Sequence, residues 1–175
     1  MIFSKNCRIE LLEHEHYDDI YSLYSNKSVR TYLGGVPEKN EIDASFKRML
    51  SSPIPNTFFY ITLKATKEFI GLVSIDEYHE KEIYELSYQF LPQYWGKGYA
   101  FEVLSEVRDY GIYRLKLTHL VAETQTANIA SCRLLEKLGM QKIKELERFG
   151  QTQAVYELRG NLFYKDLERK ETEIC

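Results

Sequence analysis

The stretch over residues 81–112, KEIYELSYQFLPQYWGKGYAFEVLSEVRDYGI, most limits how this chain can fold. Its first eleven residues are rich in aliphatic and aromatic side chains, which predicts a central strand over 81–91. Gly96 and Gly98 then break the pattern, and a helix is predicted from Tyr99 to Ile112. The helix has an apolar stripe with three- and four-residue spacing: Ala100, Val103, Leu104, Val107 and Gly111. A further strand over 115–123 completes a strand–helix–strand unit, which predicts two parallel strands joined by a crossover.

Hairpins and helices are predicted on both sides of this unit. The predicted elements are a strand at 7–13, helices at 15–26 and 41–52, strands at 56–64 and 67–78, a helix at 126–140 closed by Gly139, and strands at 141–148 and 152–160 around a turn at Phe149 and Gly150. The fold class is therefore α/β, with a mixed, mostly antiparallel central sheet, one parallel βαβ crossover and helices on both faces.

The composition restricts both domain organisation and function. A length of 175 residues suits one domain, which we place at 1–160, followed by a charged tail at 161–175. The net charge of −3 and the lack of a Lys/Arg block disfavour nucleic acid as a partner, and no apolar run reaches the roughly 18 residues that span a membrane. Three widely spaced cysteines favour reduced thiols in a cytoplasmic protein.

The glycine turn can hold an anion or can be a bare connection between a strand and a helix. A helix N-terminus offers free N–H groups and a partial positive charge, and Gly96 and Gly98 allow a ligand to come close to them. The spacing of a P-loop is absent. A dinucleotide-binding turn would need a third glycine where Phe101 stands, so that function is disfavoured.

Two blocks of sequence resemble the GNAT N-acetyltransferase superfamily. Gly98 and Ala100 match the fourth and sixth positions of its motif [QR]-x-x-G-x-[GA], while Trp95 departs from the first position. NIASCRLLEKLGM, residues 128–140, is similar to N-x-x-S-x-x-x-x-E-K-x-G-[FM] of the RimJ/RimL-like branch, which acetylates ribosomal-protein N-termini. The two blocks occur in the expected order and at the expected spacing.

The resemblance implies that the chain binds acetyl-CoA. The pyrophosphate would rest on the backbone amides from Gly96 to Ala100, with Lys97 adding a cation, and the pantetheine arm would pair with the strand edge near Phe90 and Leu91. Asn128 would bond the cofactor near a gap between two parallel strands. The complete predicted cofactor set is Phe90, Leu91, Trp95, Gly96, Lys97, Gly98, Tyr99, Ala100 and Asn128.

Acetyl transfer to an amine requires the amine to lose a proton, and Glu85 is the candidate base. On a strand, Glu85, Ser87 and Gln89 share one face, and this run of polar residues predicts a wet cleft. Members of the superfamily that use a strand carboxylate carry it at a similar distance before the glycine turn. The alternative is an ordinary solvated strand face.

The resemblance also indicates an acid for the leaving thiolate. Many members carry a tyrosine seven positions after the residue that corresponds to Asn128, but Leu135 stands there in this chain. The RimL-like branch instead indicates Ser131, which would donate a hydrogen bond to the sulfur. The alternative is a helix serine that bonds back to a backbone carbonyl.

The acceptor is the least defined part of the prediction. The segment between the first two helices often lines the acceptor pocket in the family, which implicates Tyr32, Leu33 and Gly34. The predicted function is an N-acetyltransferase in which a primary amine, either a protein N-terminus or a small molecule, attacks acetyl-CoA directly in a ternary complex. A catalytically weak acyl-CoA-binding module and a nucleotide-binding protein remain as alternatives. No metal is predicted, because His14 and His16 lack an evident third ligand.

Overall fold

The computed structural model describes residues 2–80 and 83–159, which build one eight-stranded sheet. The strand order is β1-β2-β3-β4-β5-β6-β8-β7. The strands are β1 Ile2–Phe3, β2 Cys7–Leu11, β3 Thr57–Leu63, β4 Phe69–Glu77, β5 Tyr84–Phe90, β6 His119–Gln125, β7 Gln141–Arg148 and β8 Gln151–Arg159. The predicted start of the third central strand at 81–82, the end of the last strand at 160 and the tail at 161–175 lie outside the described residues.

In the described part of the chain four α-helices connect the strands: α1 Tyr17–Ser25, α2 Lys39–Ser51, α3 Tyr99–Asp109 and α4 Ile129–Lys137. The predicted helix over 99–112 ends as an α-helix at Asp109 and continues as a π-helical turn, Tyr110–Arg114. Strand β6 starts later than predicted, because the π-helical turn continues to Arg114 and Lys116 then takes the left-handed conformation, with φ 59°. None of the helices in these described ranges is long and apolar enough to cross a bilayer.

The helices cover both faces of the sheet, as the sequence predicts. Alternate residues of β3 point to the two faces of the sheet. Phe59 and Ile61 pack in one core with α3 and α4. Phe58 and Tyr60 pack in a second core with α1 and α2. Every strand pair is antiparallel except β5 and β6, which confirms the mixed, mostly antiparallel sheet and its single parallel crossover.

Strands β5 and β6 separate soon after they meet. They pair only at Tyr84 with Leu120 and at Glu85 with Val121. Beyond that point β5 keeps its antiparallel partner β4 as far as Phe90, and β6 keeps β8 as far as Gln125. The facing edges therefore diverge into a gap in the middle of the sheet, where peptide groups are left for a ligand to bond.

Candidate functional site

The glycine turn lies at the end of β5 and shapes the start of α3. Gly98 is the N-cap of α3 with φ 84°, and Gly96 has φ 71°, so both take the left-handed conformation that glycine adopts readily. No side chain caps this helix, and a Cβ added at either glycine would meet no atom of the described chain within 4 Å. The turn therefore leaves open space beside an uncapped helix N-terminus, as an anion-binding turn requires.

Trp95 uses its one polar group inside the protein. Its indole Nε1–H donates to the backbone carbonyl of Phe90 at 2.6 Å, although half of the side chain is exposed. The bond ties the turn to the last residue of β5. Beside it, the Lys97 ammonium lies 5.7 Å from the centre of the Tyr94 ring, a cation–π distance at the surface.

A cavity of about 910 Å³ brings Glu85 together with the predicted acceptor segment. The cavity is lined in one part by Tyr32, Leu33 and Gly34, and Glu85 lines it as well. The end of β6 and the hairpin between β7 and β8 contribute the other lining residues, among them Glu123, Gln125, Arg148, Phe149 and Gln151. Residues from widely separated parts of the sequence thus meet around the predicted base.

Burial sets the acidity of Glu85. Loss of solvent, together with the neighbouring charges of Asp76 and Glu123, raises the pKa of this carboxyl to about 7. The N–H of Glu123 and the hydroxyl of Ser87 donate to the carboxylate and act in the opposite direction. A carboxyl that titrates near neutral pH is suited to accept a proton and to release it again.

Glu123 is a part of the cavity that sequence reasoning assigned no role. It accepts from Tyr78 Oη at 2.7 Å and pairs with Arg148 Nη1 at 3.0 Å. Arg148 also contacts His79 through the same nitrogen. The charge of Glu123 is therefore compensated, whereas Glu85 gains no cation among its described interactions. The signal in the sequence was the alternation along β6, which places Glu123 and Val121 on one face.

Arg30 is a second residue that the sequence did not reveal. Its Nε donates to the carbonyl of Gly35 at 2.9 Å, and Nη2 donates to the carbonyl of Leu33 at 2.5 Å. A longer contact of 3.4 Å joins Nη1 to Gln89 Oε1 on β5. The guanidinium thus fixes the loop that carries the predicted acceptor residues to the strand that carries Glu85.

Ser131 and Asn128 are not among the residues that line this cavity. Asn128 caps α4, because its Oδ1 accepts from the N–H of Ser131 at 3.2 Å. Ser131 is 9% exposed, and its Oγ lies 2.7 Å from Tyr88 Oη. Leu135 is fully buried in the core, so the position where many relatives carry a tyrosine is a packing position here. The structure therefore brings Glu85 to the acceptor segment, and places Ser131 apart from both.

Comparison with known proteins identifies the family. The model of the "Acetyltransferase (GNAT) domain" matches residues 7–141, most of the chain. An uncharacterized N-acetyltransferase of Bacillus subtilis, YoaA, is 38% identical over 136 residues, which cover 74% of this chain and 76% of that protein. The chain belongs to the GNAT acetyltransferase family.

Solved structures of GNAT acetyltransferases share the fold. The chain is similar to a GNAT-family acetyltransferase from Bacillus anthracis, with a TM-score of 0.79 and 22% identity over 91% of this chain and 98% of that one. It is equally similar to the spermidine N-acetyltransferase of Vibrio cholerae in complex with CoA and spermine, with a TM-score of 0.79 and 21% identity over 89% and 96% of the two chains. At sequence identities of 21% and 22%, this similarity shows that the proteins share a fold.

Proposed function

We propose that the protein transfers an acetyl group from acetyl-CoA to a primary amine, which attacks directly in a ternary complex. The observation that carries this proposal is the position of Glu85, a carboxyl whose pKa is raised to about 7, in a 910 Å³ cavity beside the gap between β5 and β6. The gap suits a thioester arm, and the cavity suits the amine that attacks it.

The described residues fit acetyl-CoA at two places. The uncapped N-terminus of α3 provides N–H groups for a pyrophosphate, with Gly96 and Gly98 leaving room for it. At the end of β5, the N–H of Leu91 donates to the carbonyl of Ile70 on the β4 side and so points away from the gap. Because successive peptide groups point to opposite edges of a strand, Phe90 and Tyr88 turn theirs towards the gap. The carbonyl of Phe90 already accepts from Trp95, so the N–H of Phe90 and the peptide groups of Tyr88 are the best partners for an amide-containing arm.

The proposed chemistry divides between the cofactor and the protein. Acetyl-CoA supplies an activated carbonyl carbon and a thiolate leaving group. Glu85 accepts a proton from the bound ammonium, whose pKa near 10.4 would otherwise leave little neutral amine to attack at neutral pH. Binding the two reactants side by side provides a further rate gain, because the attack no longer requires a collision in solution.

The charges in the cavity favour a cationic acceptor. Glu85 lines it and Asp76 stands directly opposite Glu85 in the sheet, while Arg148 and Glu123, which also line it, compensate each other. The Vibrio cholerae neighbour was solved with spermine, a polyamine. The resemblance to the RimJ/RimL-like branch points instead to a peptide α-amine. Both acceptors are ammonium ions in water, and both belong to the proposed class.

An acceptor screen tests the proposal. Purified protein is incubated with acetyl-CoA and with peptides of varied N-terminal residue, polyamines or aminoglycosides, and CoA release is measured. We expect release with at least one class and much slower release for the Glu85→Gln variant. Tight acetyl-CoA binding without release from any amine would favour the catalytically weak binding module, which the buried Leu135 at the usual acid position supports.

Thermal unfolding with different ligands separates a third possibility. A ligand that binds the native state raises the unfolding temperature. We expect CoA and acetyl-CoA to raise it and NAD and ATP to leave it unchanged. Stabilisation by NAD or ATP alone would contradict the proposal and indicate a nucleotide-binding protein.

A further inference from the structure

The hydrogen bond between Tyr88 and Ser131 joins the two sides of the gap. Tyr88 lies on the part of β5 that no longer pairs with β6, and Ser131 lies in the first turn of α4, the helix that follows β6. Their oxygens are 2.7 Å apart although 43 residues separate them in sequence. Two hydroxyl groups are thus held together at the place where the proposed function puts a thioester.

The chemistry of the two hydroxyls favours one direction for this bond. Either oxygen can donate, but a phenol is a much stronger acid than an aliphatic alcohol, so Tyr88 is the better donor. Burial raises the pKa of Tyr88 to about 12, which keeps the phenol protonated. The N–H of Ser131 is occupied by Asn128 Oδ1, and this contact fixes the serine backbone.

The direction of donation decides what the serine proton can do. Within residues 2–80 and 83–159, Ser131 Oγ has Tyr88 Oη as its hydrogen-bond partner and no other. When Tyr88 donates, Ser131 Oγ acts as the acceptor and its own proton stays free for a second partner. A helix serine more often returns that proton to a carbonyl one turn back, and no such bond is formed here.

We propose that Tyr88 is a positioning residue for acetyl transfer: its hydroxyl donates to Ser131 Oγ and thereby turns the Ser131 proton towards the sulfur of a thioester in the gap. The inference rests on the proposed function. In the transfer, the neutral amine nitrogen forms the new C–N bond and the C–S bond breaks with its electron pair on sulfur. Glu85, after passing the ammonium proton to water, takes the second proton that the nitrogen loses as the amide forms. Ser131 donates a hydrogen bond to the sulfur and keeps its proton.

The inference gives a strand residue the task that a helix tyrosine performs in many relatives. Leu135 cannot donate a hydrogen bond and is fully buried. Tyr88 reaches α4 from β5 one turn before Leu135, and it does so through Ser131. The two residues should therefore act as one unit, and removal of either should have the effect of removing both.

The test compares the affinity for CoA with that for desulfo-CoA, which lacks the sulfur. The proteins are wild type, Tyr88→Phe, Ser131→Ala and the double variant, and binding is measured by calorimetry. Tyr84→Phe is the matched control, because Tyr84 lies on the same strand and face where β5 and β6 still pair. We expect wild type and the control to prefer CoA by about tenfold, the range of one hydrogen bond to a charged or polarisable group. The three other variants should bind both ligands equally.

Two further measurements complete the test. Single-turnover rates should fall by the same factor in both single variants and no further in the double variant. Ser131→Thr keeps the hydroxyl and should retain the preference for CoA over desulfo-CoA. This variant supports the inference if Tyr88→Phe does not fold. A Tyr88→Phe protein with the wild-type preference, or additive losses in the double variant, would overturn the inference alone. Failure of the wild-type protein to bind either ligand would instead contradict the proposed function.

Discussion

Glu85 and Asp76 stand directly opposite each other in the ladder between β4 and β5. Burial raises the pKa of both carboxyls, and the hydroxyl of Ser74 donates to Asp76 at 2.9 Å. Two acidic groups at paired positions cannot both ionise without repulsion. Glu85, which lines the cavity, is the member of the pair that can exchange its proton with an acceptor.

The pH dependence of catalysis follows from this arrangement. We expect kcat/KM of the wild-type enzyme to rise as Glu85 ionises, with a midpoint near pH 7. Glu85→Gln should lower kcat/KM at pH 7 on the order of 10²-fold, the range for loss of a general base. The defect should shrink towards pH 10, where more of the amine is neutral without help. Equal rates for variant and wild type at every pH would remove Glu85 from the mechanism.

The same residue should make folding stability depend on pH. The pKa of Glu85 is raised from 4.5 to about 7, so the native state keeps a proton that the unfolded chain releases between these values. Stability is therefore lost as pH rises from 4.5 to 7, by up to about 3 kcal/mol. Glu85→Gln has no carboxyl to titrate, so its free energy of unfolding should rise relative to that of wild type as pH increases over this range. Urea unfolding at pH 5 and pH 8 would measure the difference. The same substitution at the exposed Glu106 is the control.

Gly98 should matter for CoA binding beyond its effect on the backbone. Its φ of 84° strains any other residue, but Gly139 after α4 has φ 83° and equally open surroundings. Gly98→Ala and Gly139→Ala should therefore destabilise the protein to a similar degree. Only Gly98→Ala should weaken CoA binding, by about tenfold or more, because the added methyl group faces the proposed pyrophosphate. Equal CoA affinities by calorimetry would contradict this role.

Trp95 should contribute to stability rather than to CoA affinity. Its N–H is already bonded to the carbonyl of Phe90, so it has no donor left for a phosphate. Trp95→Phe should reduce the free energy of unfolding by about 1 kcal/mol, the usual net value of a hydrogen bond. Calorimetry should find the CoA affinity almost unchanged. A large loss of affinity in a stable variant would show that the indole itself contacts the cofactor.

Local patterns predicted the parts of the site that depend on one segment of chain. Alternation along β5 placed Glu85, Ser87 and Gln89 on one face, and the structure has Gln89 contacting Arg30 on the side of α1 and α2. The glycine turn also lies where its sequence indicates. Helix ends were less well predicted: α4 begins at Ile129 and not at 126, because Asn128 supplies the cap. The short strand β1 was not predicted at all.

Contacts between distant segments could not be predicted from these patterns. Arg30 meets Gln89 across 59 residues, and Tyr88 meets Ser131 across 43. Periodicity tells which face of its own element a side chain occupies, but not which element lies opposite. The register of β5 and β6, which places Glu123 near Glu85, is likewise set by the whole sheet. A pairing of strands is needed before such residues can be assigned.

Arg30 provides a test of how the acceptor loop is held. Its three contacts, with Gly35, Leu33 and Gln89, use separate nitrogens of one planar group, and a lysine cannot make all three. Arg30→Lys should loosen the loop and raise KM for the amine by about fivefold, equivalent to the loss of roughly one hydrogen bond. The affinity for acetyl-CoA should not change, because the cavity that this loop lines includes no residue of the glycine turn.

Arg108→Lys is the control for this change. Arg108 also donates to a backbone carbonyl, that of Leu138, but it joins α3 to the end of α4 on the opposite face of the sheet. This variant should lower the unfolding temperature and leave KM for the amine unchanged. If both variants raised that KM equally, the effect of Arg30 would be one of general stability. A rise in the KM for the amine that is confined to Arg30→Lys would identify the loop over 33–35 as part of the acceptor site. Steady-state kinetics measures this KM separately from the KM for acetyl-CoA.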